Sequence, residues 1–168
     1  KGQTFNIEKL LGSKELADQF RNGTMVIARL CPKDYHRFHF PVDSIASKAR
    51  LINGYLYSVN PQALRYNFDI LNQNKRYITE IHNPLFGDLL YIEIGATNVG
   101  SVIQTYNPNL PQEKGGEKGY FQFGASCVVL IFKENSIRLD DDLLKSAPYQ
   151  ETLCLMGQSL GTASILKT

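Results

Sequence analysis

Three side chains in this sequence combine reactive chemistry with a suggestive setting: Ser126, His36 and His39. Ser126 follows Gly124-Ala125, between Lys118-Gly-Tyr-Phe-Gln-Phe123 and the apolar run Cys127-Val-Val-Leu-Ile-Phe132. The spacing predicts a strand, a tight turn at Gly124-Ala125-Ser126 and a second strand. Two readings stay open. The turn is a plain hairpin loop, or it presses a serine against its own backbone. In the second case strain lets the Ser126 hydroxyl attack the Ala125 carbonyl, with a histidine as base. No Gly-x-Ser-x-Gly elbow surrounds the serine, which disfavours an ordinary serine hydrolase.

The ester formed by such an attack can open by β-elimination. That splits the chain between Ala125 and Ser126 and leaves Ser126 as an N-terminal pyruvoyl group. A ketone of this kind forms a Schiff base with an amine and accepts the electrons of a leaving carboxylate. The bases are at hand in Asp34-Tyr-His-Arg-Phe-His-Phe-Pro41, which holds two of the three histidines. In an extended strand, positions three apart face opposite ways. His36 and His39 therefore serve one site only if the backbone bends or they flank it. Pro41 disfavours helix at Phe40. His82, just before Asn83-Pro84, reads as a surface or structural residue.

The elements that must position these residues follow from periodicity. Leu10, Leu11, Leu16, Ala17 and Phe20 share a helical face, split by Gly12-Ser13, with Ser13 as the second N-cap. Strands are expected over Met25–Leu30, Tyr55–Val59, Tyr77–Ile81, Leu89–Ala96, Ser101–Tyr106 and Thr152–Met156. Phe68–Leu71 reads as a short apolar piece before a polar turn at 72–75. Asn107–Gly119 is a polar loop, and Asp140-Asp-Asp142 opens a short helix favoured by its dipole. The residues after Gly157 read as a tail. Short strands with little helix give a mainly β (α+β) domain: antiparallel β sandwich or barrel-like sheets with short peripheral helices.

Composition narrows the classes. The chain has 168 residues and a net charge of +2, with its Lys and Arg dispersed. It reads as a single domain over 1–168, and nucleic-acid binding is not expected. Its three cysteines, Cys31, Cys127 and Cys154, lack disulfide-framework or metal-ligand spacing, so they read as reduced thiols and no metal is expected. The glycines at 95 and 100 do not form a dinucleotide fingerprint, and Lys114-Gly-Gly-Glu-Lys118 is not a P-loop. The first residue is Lys rather than Met. The chain is therefore expected to be an N-terminally truncated fragment.

Several segments resemble, in order, the signature segments of the phosphatidylserine decarboxylase family. They are Arg29-Leu-Cys-Pro-Lys-Asp-Tyr-His-Arg-Phe-His-Phe-Pro41, Tyr57-Ser-Val-Asn-Pro61, Asn74-Lys-Arg76, Ile94-Gly-Ala-Thr-Asn-Val-Gly-Ser101 and Lys114-Gly-Gly-Glu-Lys-Gly-Tyr-Phe-Gln-Phe-Gly-Ala-Ser126. Leu155-Met-Gly-Gln-Ser-Leu-Gly161 extends the match. The resemblance implies a proenzyme that cleaves itself before Ser126 and acquires a pyruvoyl group derived from it. The enzyme would then decarboxylate phosphatidylserine to phosphatidylethanolamine. His39 resembles the base of self-cleavage, and His36 the histidine that assists decarboxylation. The resemblance also implies a peripheral, cytosol-facing place on a membrane surface, through regions outside this chain, and a possible homodimer.

The pattern departs from the family at two positions. Ala125 stands where the family has Gly, and Cys127 where it has Thr. Ala reaches glycine-type backbone conformations only at a cost of about 1 kcal/mol or more. The family also uses an aspartate N-terminal to this segment, a role transferred here to neither Asp34 nor Asp43. Two alternatives follow: a pyruvoyl-dependent decarboxylase of another amine or amino acid, or an unprocessed, inactive phospholipid-binding relative.

Overall fold

The computed structural model describes residues 5–97, 101–122, 126–145 and 151–164. The elements run α1 (Ile7–Leu11), α2 (Lys14–Gln19), β1 (Thr24–Leu30), β2 (Arg37–His39), β3 (Ser44–Ala46), β4 (Arg50–Ile52), α3 (Pro61–Tyr66) and α4 (Ile70–Gln73). There follow β5 (Arg76–Asn83), β6 (Gly87–Gly95), β7 (Ser101–Gln104), β8 (Pro111–Gln112), β9 (Glu117–Gln122), β10 (Ser126–Phe132), β11 (Ile137–Leu139), α5 (Asp141–Lys145) and β12 (Gly161–Ala163). The helical break falls as expected. Asn6 and Ser13 cap α1 and α2 through their side chains, and Gly12 ends α1 with φ 60°, a left-handed conformation that suits glycine.

The main sheet has the order β1-β10-β6-β5-β3-β8, with β4 also pairing with β5. A smaller sheet has the order β2-β9-β7, and β11 pairs with β12. All these strand pairs are antiparallel, and among the described residues no sheet closes into a barrel.

Strand β10 lies inside the main sheet, and all seven of its residues are buried. Side chains alternate across a strand. Cys127, Val129 and Ile131 join the core beneath the helices with Leu10, Leu11, Leu16 and Leu71. Val128, Leu130 and Phe132 join a second core with Phe38, Val102 and Phe121 of the small sheet. With both faces covered, β10 reads as one apolar run although its neighbours are antiparallel.

Four expectations are corrected. Strands β9 and β10 do not form a hairpin: β9 pairs with β2 and β7, whereas β10 pairs with β1 and β6. The chain instead crosses from one sheet to the other between 122 and 126. Residues 55–59 form no strand beyond an isolated Tyr55–Asn74 bridge, because Asn74 satisfies the Tyr57 backbone. Residues 70–73 are helical, with Asp69 accepting from the side chains of Asn72 and Gln73. The last strand is Gly161–Ala163, not Thr152–Met156, where Leu153, Leu155 and Met156 are exposed.

Candidate active site

Ser126 is the first residue of β10, paired with Leu30 of β1 and Gly95 of β6. By alternation its side chain shares the face of Val128, toward the small sheet. It is fully buried, and among the described residues its Oγ makes no hydrogen bond. Buried hydroxyls are nearly always paired, so an orphaned one asks for a functional account. Gly124 and Ala125 lie outside the described residues, and so does the strain expected at that turn.

His36 reaches the same crossing from the small sheet. Its backbone oxygen accepts from the N–H of Phe121, and its ring stands edge-on to that of Phe121 with centroids 6.5 Å apart. Phe121 precedes the crossing and Ser126 follows it. The Nδ1 of His36 lies 2.6 Å from the Asp34 carbonyl oxygen, which can only accept. That nitrogen therefore carries the proton and Nε2 is the basic one.

His39 is held differently. The register shift between Phe38 and His39 leaves its extra residue, Lys118, on β9, so the bulge lies in β9 and not in β2. The Nδ1 of His39 lies 2.8 Å from the Gly115 carbonyl oxygen, while Nε2 lies 2.9 Å from the Tyr35 hydroxyl. The carbonyl fixes the proton on Nδ1, so Tyr35 donates to Nε2. The two rings also stack at 5.7 Å. The structure thus brings His36 beside the crossing that Ser126 ends, but joins neither histidine to Ser126 Oγ by a hydrogen bond. His82 is exposed and pairs with Asp88, as a surface residue should.

The two aspartates near the histidines have local duties. Asp34 Oδ2 accepts from the Cys31 N–H at 2.7 Å, and Asp43 Oδ1 from the Lys114 N–H at 2.7 Å. Cys127 adjoins Ser126 but faces the helical core. Burial pushes its thiol up to about 12, with the Arg29 cation opposing, so it is no ready nucleophile.

Two features near the site were not singled out from the sequence. Glu93 of β6 and Lys118 of β9 form an ion pair at 2.5 Å, both side chains fully buried. Gln104 of β7 donates to Glu93 Oε2 at 3.1 Å and accepts from Lys118 at 2.8 Å. The rings of Phe38, Tyr91 and Tyr106 surround the Lys118 ammonium at 4.9–5.6 Å. Burial raises the Glu93 carboxyl and lowers the Lys118 amine, and each charge pulls the other back. The pair pins the two sheets together on the face that Ser126 shares.

The second is Asn74, fully buried. Its Nδ2 donates to Tyr57 O at 2.7 Å and to Gly95 O at 2.9 Å, and its Oδ1 accepts from Tyr57 N at 3.0 Å. Arg76 beside it donates to Lys9 O, Leu10 O and Asn74 O, tying α1 to β5. A buried Asn and a buried Arg two apart were visible only as part of a motif.

The fold and this site define a layered β domain organised around a buried serine at a sheet-to-sheet crossing. The family model for phosphatidylserine decarboxylase matches residues 1–162, and the chain belongs to that family. It is 51% identical over 162 residues to proteins named phosphatidylserine decarboxylase proenzyme from Chlamydia pneumoniae and Chlamydia felis, and 53% identical to one from Chlamydia muridarum. Each match covers 96% of this chain and 54% of the relative. The chain therefore spans about half the length of the curated relatives it matches.

Proposed function

We propose that this chain carries the catalytic centre of a phosphatidylserine decarboxylase whose pyruvoyl group comes from its own Ser126. The observation that carries this reading is the orphaned, fully buried Oγ of Ser126 at the head of β10. A buried hydroxyl with no competing partner suits attack on the carbonyl that precedes it. Ser126 Oγ adds to that carbon, the 125–126 amide nitrogen leaves, and an ester results. Loss of the Ser126 α-proton then releases the carboxylate of the first fragment and leaves dehydroalanine, which tautomerises to an imine that water hydrolyses to the pyruvoyl ketone with loss of ammonia.

His39, with Nε2 as its acceptor and Tyr35 holding it, is the base proposed for self-cleavage. A pyruvoyl ketone at this position supplies an electron sink for the carboxylate lost from an amine-bearing substrate. His36, oriented by the Asp34 carbonyl and Phe121, is the residue proposed to handle the proton at the substrate α-carbon. The substrate named by the relatives is an anionic phospholipid, so a membrane surface is the proposed place of action.

The test is denaturing mass spectrometry with measurement of carbon dioxide released from phosphatidylserine. Two fragments, the smaller starting with a ketone-blocked residue 126, are expected, together with gas release. One intact chain and no gas would establish instead the unprocessed relative that Ala125 favours. Ser126→Ala should abolish both readouts. Replacing His36 should spare cleavage and lose decarboxylation, whereas replacing His39 should slow cleavage first.

A further inference from the structure

We infer that Arg29 receives the phosphodiester of the substrate headgroup, and that the Glu151 carboxylate holds that place until the substrate arrives. This rests on the reading of the chain as a phosphatidylserine decarboxylase and deepens it by naming a headgroup-binding residue.

Arg29 of β1 is paired with Cys127, next to the Leu30–Ser126 pair. Its Nη1 donates to Cys31 Sγ at 2.8 Å, and Cys31 follows the last residue of β1. The guanidinium therefore reaches along β1 toward the end of the sheet where β10 begins. Its side chain leaves the sheet on the helical face, whereas that of Ser126 faces the small sheet. The two are still neighbours in function. A ketone made from Ser126 stands on its α-carbon, in the plane of the sheet rather than on one face. In phosphatidylserine one methylene joins the amine-bearing carbon to the phosphodiester. The reach from amine to phosphorus is comparable to the spacing of neighbouring strands, about 4.8 Å.

An anion already sits on this cation. Arg29 Nε donates to Glu151 Oε1 at 2.7 Å and Nη2 to Oε2 at 2.6 Å. A guanidinium fork of this kind fits phosphate oxygens as it fits a carboxylate. Arg65 adds a second positive field at the same carboxylate. Arg29 and Glu151 both act on the Cys127 thiol, which places their charges beside the residue that follows Ser126.

The carboxylate is built to be displaced. The Arg29 side chain is 16% exposed, but that of Glu151 is 54% exposed, and all of residues 151–159 are exposed. Lifting Glu151 away takes no side chain out of the core, and an ion pair with one partner in water holds weakly. The phosphodiester survives the reaction, whereas the substrate carboxylate leaves. A clamp on the phosphodiester therefore holds substrate and transition state alike, and its loss raises KM while sparing kcat.

The experiment is an NMR titration of the full chain with glycerophosphoserine and, separately, with inorganic phosphate. The Arg29 Nε–H resonance is followed, with the Leu30 and Cys127 amides as reporters in the variants. Glycerophosphoserine should move the Arg29 resonance. Glu151→Gln should tighten its binding by about fivefold, because the competing anion is gone. Arg29→Gln should weaken it by about tenfold or more. A pair that only ties down the 151–159 segment would make the two variants behave alike, so opposite signs are the signature. In the processed enzyme Arg29→Gln should raise KM for phosphatidylserine and leave kcat near the parent value.

Circular dichroism and Tm check the fold. Arg29→Lys, which keeps the charge and loses the fork, is the second variant should Arg29→Gln unfold, and it too should weaken binding. The inference is overturned if glycerophosphoserine leaves the resonance unmoved, or if both variants shift the affinity in one direction. It is equally overturned if inorganic phosphate binds and the phosphodiester does not, since Arg29 then serves free phosphate. The titration needs no cleavage. A chain that decarboxylates with an unchanged KM in Arg29→Gln removes this inference alone. A chain that binds the headgroup with these opposite signs but neither cleaves nor releases carbon dioxide removes the proposed function alone.

Discussion

Replacing Glu93 by Gln keeps the shape of the side chain and removes one charge from the interior. The Lys118 ammonium is then left fully buried with only Gln104, the new amide and three aromatic faces around it. Breaking a buried pair by removing one partner costs about 3–5 kcal/mol, because the survivor is neither solvated nor neutralised. At 168 residues, and about 2–4 °C in Tm per kcal/mol, the melting point should fall by about 6–20 °C. Lys118→Met should cost a similar amount by stranding the Glu93 carboxylate. The double variant Glu93→Gln with Lys118→Met buries no charge, and the Gln104 amide, which already reaches Glu93 Oε2, can pair with the new Gln. It should lie near the parent, giving a coupling energy of about 3 kcal/mol or more. Urea melts at neutral pH on the four proteins measure this. Single variants that each lose under about 1 kcal/mol, or a double that loses the sum of the two, would refute the pairing as described.

The other expectations are shorter. Asn74→Ala should cost about 1–3 kcal/mol for each buried carbonyl it orphans and should detach the 55–57 loop, read by urea melts and by hydrogen exchange at Tyr57. Ala125→Gly should speed appearance of the smaller fragment, timed on denaturing gels; an unchanged rate would show that the methyl group is harmless there. Asp88 is held below its ordinary 3.8 by Lys133 first and His82 second. A depressed carboxyl adds stability that is present above the ordinary value and lost as pH falls through the lowered one. Asp88→Asn should therefore flatten the acid limb of the stability curve and leave its neutral part less stable. Ser13→Ala should cost about 1 kcal/mol through loss of the α2 cap, measured by Tm.

Much of the architecture was legible because burial leaves a period in the sequence. The α1–α2 break could be read from Gly12-Ser13, and β1, β5, β6 and β10 from β-rich runs. What failed was pairing. Strands adjacent in sequence suggested a hairpin, yet β9 and β10 sit in different layers. The trace of this was present: β9 carries Glu117, Tyr120 and Gln122, which reach the surface, among buried residues, as a strand covered on one face does, whereas β10 has no such mixture. Tyr55–Val59 had strand composition, but a side chain 17 positions downstream took its hydrogen bonds. The Glu93–Lys118 pair spans 25 positions and leaves no periodic mark. The histidines and Ser126 were legible by type and motif, but the histidines' separate supports were not, because the backbone carbonyls of Asp34 and Gly115 decide them.

The interior place of β10 has a consequence for what a break before Ser126 would produce. Chain ends normally fray, because nothing holds their first residues on both sides. Here the new terminus would be flanked by seven paired positions on β1 and seven on β6. The reactive group would stand on an end that cannot fray, and the shorter piece could leave only by dismantling the sheet. Amide exchange at Val128–Leu130 should then report global unfolding in the cleaved protein as in the intact one.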